Sequence, residues 1–155
     1  MLDDTTLITK SIAVSNKEIK VFFKRNTILD IKELILLYQS VGWQKNSVNK
    51  LQRLVKNNLL ISCFIELSAV KHNLIGFVLA SSDSEYISII WDLMITPKFQ
   101  NLGLGKELIS LIIHEINKMH INNTILFADD QVINFYKKLG FVVEPNKTKV
   151  LFLSN

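Results

Sequence analysis

Residues 94–106 read MITPKFQNLGLGK, and this stretch decides how the rest of the chain is to be read. An apolar strand pattern ends at Ile95, Pro97 breaks it, and a loop carrying Gly103 and Gly105 opens onto a helical pattern. Such a loop can turn successive backbone N–H groups inward, and the helix N-terminus adds partial positive charge, so that together they hold a pyrophosphate. Glycine matters there because a side chain would keep the backbone away from the anion. By itself the short G-x-G is weak and reads better as an ordinary helix-start turn. It is neither a Walker A loop, which needs GK[ST], nor the six-residue dinucleotide fingerprint.

Upstream of the loop, Glu18–Lys24 (EIKVFFK) reads as a first strand. Leu29, Leu34, Ile35 and Leu37 recur at helical spacing up to Gly42, and Ser47 is placed to N-cap a second helix carrying Val48, Leu51, Leu54 and Val55. Leu59–Leu67 and Asn73–Ala80 follow as apolar strands with a turn at His72–Asn73, then Tyr86–Ile95 as the strand that enters the loop. Downstream, Leu104, Leu108, Leu111, Ile112 and Met119 mark one face of a long amphipathic helix. Asn123–Ala128 is a short strand and Val132–Leu139 a helix stopped by Gly140; Phe141–Val143 and Lys149–Leu153 read as two terminal strands. The order predicts an α/β sandwich around a mixed sheet rather than a doubly wound one.

The chain has 155 residues, 48% of them hydrophobic, which suits a single domain spanning 1–155. One cysteine excludes an intrachain disulfide and a cysteine-based zinc site, and Cys63, inside the apolar run Leu59–Leu67, reads as a small buried hydrophobe. No apolar run reaches the ~18 residues of a membrane helix, and Met1–Lys10 resembles neither a signal nor a transit peptide. The net charge of +4 comes almost wholly from lysine, Arg25 and Arg53 being the arginines. That surplus suits a small, highly anionic ligand better than nucleic acid, whose binders cluster arginines and aromatics along one face. The three histidines, His72, His114 and His120, make no metal set by spacing. Abundant Lys, Ile and Asn fit an AT-rich genome, as in organelles and some bacteria.

Pro97-x-x-Gln100-x-x-Gly103-x-Gly105, followed by Phe135–Phe141 (FYKKLGF), resembles the two signatures of the GNAT superfamily of N-acetyltransferases, at the family's spacing and in its element order. The resemblance implies a mixed, mostly antiparallel sheet of six to seven strands, helices on both faces, and a splay between the fourth and fifth strands, Tyr86–Ile95 and Asn123–Ala128. It also implies acetyl-CoA as cosubstrate, no metal, and transfer to an amine in a ternary complex without an acyl-enzyme. Val41–Gly42–Trp43, Ile90–Trp91–Asp92, TILFAD at 124–129 and the segment from Val132 to Phe141 are similar to acetyltransferases of red-algal plastids and their cyanobacterial relatives. Their plant plastid counterparts are linked to arylalkylamines such as serotonin and to protein lysines. The narrower likeness implies a small amine substrate, with protein lysine or a non-catalytic acyl-CoA-sensing role as the alternatives. It further implies a monomer or homodimer without nucleic-acid or membrane partners, in the plastid stroma or a bacterial cytoplasm.

The same resemblance assigns residues. Main-chain groups of Leu93, Met94 and Ile95 would pair with the pantetheine arm, and N–H groups of Asn101, Leu102, Gly103, Leu104, Gly105 and Lys106 would hold the pyrophosphate, with Gln100 ordering the loop. Val132, Phe135, Tyr136 and Lys138 complete the cofactor side; Lys106 and Lys138 are as well read as solvated lysines. Tyr136 matches the family's acid toward sulfur, its alternative being a half-buried anchor of the last helix, and an N–H near Met94 would serve the oxyanion. Asp92 interrupts an apolar strand, where a carboxylate needs a partner or a task, and is nominated as base and counter-charge; strand alternation points it with Ile90 and Met94. Asp129 stands where many members have Asn and reads either as a site residue or as a helix N-cap. Asn123 and Trp43 are candidates for the substrate side, against plainer readings as turn and packing residues.

Overall fold

The computed structural model describes residues 5–44, 47–68, 71–148 and 151. Among them, six strands run in sheet order β1 (Thr6–Val14), β2 (Lys17–Arg25), β3 (Leu59–Ser68), β4 (Lys71–Ser82), β5 (Ile87–Ile95) and β6 (Asn123–Leu126). Every neighbouring pair is antiparallel except β5 with β6. Helices α1 (Ile31–Ser40) and α2 (Val48–Asn57) cover one face, and α3 (Leu104–Lys118) and α4 (Ile133–Lys137) the other.

β1 is absent from the sequence reading. Ser15 and Asn16, both at positive φ, make a two-residue hairpin turn of the kind that matches strand twist. The period-2 signal is present in Ile8, Ile12 and Val14, but Lys10 interrupts it; in the fold its ammonium pairs with Glu107 of α3. His72 belongs to β4, opposite Glu66, and not to a turn. Ser47 sits at the N-cap of α2 without a side-chain capping bond, whereas Asp30 caps α1 by accepting from Lys32 N–H at 2.8 Å. Phe141–Val143 forms no strand, and of Lys149–Leu153 only Leu151 lies within the described residues.

The sheet divides the core in two. Val21, Phe23, Ile61, Cys63, Ile75, Val78 and Ile95 face α3, which buries Leu104, Leu108, Ile109, Ile112 and Ile116. Each such side chain contributes roughly 1.5–3 kcal/mol, so α3 is held by packing more than by propensity. Met119 is not on that face: the helix ends at Lys118, and the side chain is exposed. Glu115 is, buried between Arg25 (2.5 Å) and Lys118 (2.7 Å), which hold its carboxyl below the usual range against the opposing pull of burial. On the other side, Leu34, Leu37 and Tyr38 of α1 pack with Leu60, Leu74, Phe77, Leu79 and Met94. Cys63 is fully buried, and burial pushes its thiol up to about 12, as an inert core cysteine requires.

Candidate active site

The site begins with a fault in β5. Phe77 of β4 pairs with Met94 and Leu79 with Trp91, so two residues, Asp92 and Leu93, stand opposite Val78. This is a β-bulge, and Asp92 absorbs it with φ +53°, a conformation that Asp tolerates better than most residues. The bulge breaks the alternation expected from sequence. Ile90, Leu93 and Ile95 belong to the α3 face, whereas Met94 packs with α1 on the opposite one. Asp92 therefore parts company with Ile90: its Oδ2 accepts a hydrogen bond from the Tyr38 hydroxyl of α1 at 2.8 Å.

The parallel pairing of β5 with β6 runs from Ile87–Asn123 to Ile90–Leu126 and stops there. Beyond it the two chains diverge around a cleft of about 380 Å³. Of the residues named from sequence, the fold brings Asp92, Leu93, Ile95, Gly105, Asp129, Val132, Phe135, Tyr136 and Trp43 to its walls. Met94 is buried beneath, on the other side of the sheet. Asn123 begins β6 at the closed end of the pair and does not line the cleft. Lys106 and Lys138 are exposed, the first in the opening turn of α3 and the second just past α4.

The loop between β5 and α3 starts with a turn at Pro97–Phe99, and Gln100 Nε2 donates to the Ile95 carbonyl at 2.9 Å, tying the loop back to the strand. Asn101 and Gly103 take positive φ (61° and 79°), and Gly103 is the N-cap of α3. Alternation of left- and right-handed residues turns N–H groups to one side, and the first N–H groups of the helix have no partner within it. Leu104 anchors this turn in the core, while a Cβ on Gly105 would lie 3.8 Å from the Phe135 ring. The donors present, the apolar channel of Leu93, Ile95, Val132 and Phe135, and the unzipped edge of β5 together fit an anionic head and an extended amide-bearing arm.

Tyr136 is fixed by the end of its helix. Gly140, at φ +94°, lets Gly140 N–H reach the Lys137 carbonyl (3.1 Å) and Phe141 N–H the Tyr136 carbonyl (3.2 Å), the bond pair of a Schellman turn. Phe141 is thus spent on capping α4, which is why it starts no strand; its ring lies 5.8 Å from that of Tyr136, and Phe135 lies 5.0 Å away on another side. Burial raises the Tyr136 phenol above its ordinary value, so it is a proton donor through the neutral range. Asp129 occupies the N-cap position before the turn Asp130–Val132 but makes no side-chain capping bond, and it is exposed at the cleft wall.

Two features of the cleft wall and one buried residue bonded to it do not show in the sequence reading. Trp91 is partly exposed, donates its indole N–H to Ser81 Oγ at 2.8 Å, and packs at 5.3 Å, tilted by 31°, on Phe127, which has left β6. Tyr38, an unremarked helix residue, holds Asp92. The signal for Phe127 and Ala128 lay in the TILFAD stretch, whose last residues were counted as strand.

The sequence profile described as the Acetyltransferase (GNAT) family matches residues 28–141. An uncharacterized N-acetyltransferase, ycf52, of Gracilaria tenuistipitata var. liui is 36% identical over 149 residues, covering 96% of this chain and 82% of its own. Serotonin N-acetyltransferase 2, chloroplastic, of Oryza sativa subsp. japonica is 24% identical over 123 residues, 79% of this chain and 62% of its own. A GNAT family acetyltransferase of Streptococcus pneumoniae shares the fold with a TM-score of 0.70 at 18% identity, covering 86% of this chain and 98% of its own. A phosphate-type loop at a helix start, a sheet unzipped beside it and a phenol fixed at the opening meet in one cleft, and the family match spans all three: the chain belongs to the GNAT acetyltransferase family and is an acetyl-CoA-dependent N-acetyltransferase.

Proposed function

We propose that the protein acetylates a small primary amine, an arylalkylamine such as serotonin, by direct attack on the thioester within a ternary complex. The observation that carries this reading is that one cleft presents Asp92 and Tyr136 together with an aromatic wall, Trp91 on Phe127, and Trp43 nearby. Main-chain groups of Leu93, Met94 and Ile95 hold the pantetheine arm along the open edge of β5, and the N–H groups from Asn101 to Lys106 hold the pyrophosphate. Asp92, directly or through a water, accepts the proton that the ammonium loses, and Asp129 adds negative charge for the incoming cation. The amine adds to the thioester carbonyl to form the C–N bond, an N–H near Met94 steadies the resulting oxyanion, and as the carbonyl re-forms the C–S bond breaks and Tyr136 gives its proton to the departing sulfur. The rice relative acts, by its name, on serotonin in the chloroplast, which supports both the amine class and a plastid location.

Thiol release from acetyl-CoA across a panel of aryl-alkyl, aliphatic and polyamine substrates and a lysine peptide tests this. The arylalkylamines should turn over with the highest kcat/KM, and Asp92→Asn should lose roughly 10- to 100-fold at neutral pH with partial recovery at higher pH, where free amine is abundant. Preference for the lysine peptide would redirect the assignment to proteins, and tight acetyl-CoA binding without any turnover would favour an acyl-CoA sensor.

A further inference from the structure

Tyr38 stands on the buried face of α1 among Leu34, Leu37 and Leu60, and none of its surface reaches solvent. A phenylalanine would fill that volume; the hydroxyl has a use because Asp92, 54 residues away in the chain, accepts its hydrogen bond at 2.8 Å. Tyr38 also contacts Trp43, a residue of the cleft wall. Its carbonyl accepts the Trp43 N–H at 2.9 Å, and the two rings lie 6.3 Å apart. One residue thus touches both the carboxylate at the bulge and the aromatic wall after α1.

We propose that Tyr38 is a positioning residue for acetyl transfer: its hydroxyl fixes the rotation of the Asp92 carboxylate at the bulge. This rests on the reading of Asp92 as proton acceptor given above. Burial, and then the negative charge of Asp92, drive the Tyr38 phenol far above its ordinary value, so it stays a donor wherever the enzyme works. A neutral donor on a carboxylate lowers the carboxyl's proton affinity. Other groups that titrate beside Asp92 are Asp129, after β6, and Tyr136, on α4; β4 opposes the bulge with Phe77, Val78 and Leu79, and α3 lines the cleft with Gly105. From α1, the Tyr38 hydroxyl donates to Asp92.

The test is the pH dependence of kcat/KM for Tyr38→Phe, with Asp92→Asn measured in parallel. Loss of the donor should displace the acid limb and lower kcat/KM roughly ten-fold, with KM for acetyl-CoA unchanged. In the Asp92→Asn background, Tyr38→Phe should add nothing. In the wild-type protein carrying ring-labelled tyrosine, the Tyr38 resonance should shift at the pH of the acid limb, a readout that needs no variant to fold. If Asp92→Asn removes the limb while Tyr38→Phe leaves it in place, Tyr38 merely packs and the proposal falls alone. If Asp92→Asn keeps the wild-type limb, Asp92 is not the acceptor and both readings fall. A Tyr38 resonance indifferent to pH across the limb also overturns the proposal.

Discussion

The two edges of β5 are built from the same few residues and have opposite fates. On one edge β4 follows β5 to its end, through the bulge and on to the Gly76–Ile95 pair. On the other, β6 leaves after Leu126. The continuous edge is stable because both faces beside it are filled: Ile95 packs toward α3 and Met94 toward α1. The interrupted edge exchanges sheet hydrogen bonds for a cleft, and the chain leaving it, Phe127–Asp129, becomes the opposite wall. A sheet can therefore carry a binding slot in its interior as long as one edge of the slotted strand remains fully supported. The bulge at Asp92 reconciles the two, since it turns a carboxylate toward α1 without ending the strand.

The largest effect should come from the open edge. Tyr136→Phe should lower kcat roughly 100- to 1,000-fold with little change in KM for acetyl-CoA, measured by thiol release at saturating cofactor; equal falls in binding and rate would make Tyr136 an anchor of the cleft rather than its acid. The closed edge should answer in stability instead. A Cβ at Gly76 would meet Ile95 Cδ1 at 2.5 Å, Cys63 Cβ at 3.1 Å and Leu108 Cδ1 at 3.2 Å. Gly76→Ala should cost about 1–3 kcal/mol in denaturant unfolding while leaving kcat near wild type, and a kinetic loss larger than the stability loss would show that the two edges are coupled. The smallest effect at neutral pH is expected at Cys63, beneath the closed edge. Its thiol, raised by burial to about 12 from an ordinary 9.0, is protonated in both folded and unfolded chains at neutral pH, so its contribution is constant there. As pH rises through the interval to about 12, the unfolded thiol ionises first, and folded stability should fall. Alkylation of Cys63 at neutral pH should accordingly track unfolding; rapid labelling of the native protein would place an opening motion at the α3 face.

What was legible in the sequence was local. Helical and strand periodicities placed α1 to α3 and β2 to β6, because each element's apolar spacing is set by its own geometry. The glycine loop and FYKKLGF were readable because their work is done by backbone, through a left-handed Gly103 and a Schellman turn at Gly140, and backbone demands leave fixed residue types at fixed spacings. β1 escaped because Lys10 occupies an inward position in it, where it pairs with Glu107 and lies over the Phe23 ring. The expected strand at Phe141 failed for a related reason, its N–H and ring being committed to closing α4.

By itself, then, the sequence determined the helices and strands from β2 to α4, the glycine loop that opens α3 and the FYKKLGF segment that carries Tyr136. The tertiary structure decided which way Asp92 points, that Tyr38 holds it, that Trp91 and Phe127 pack at a tilt into a wall, and that Asn123 stays at the zipped end of β6. Those outcomes depend on register against β4 and on contacts between segments far apart in the chain. A bulge reverses the face of every residue beyond it, and no period read along a single strand can show where one more residue has been let in.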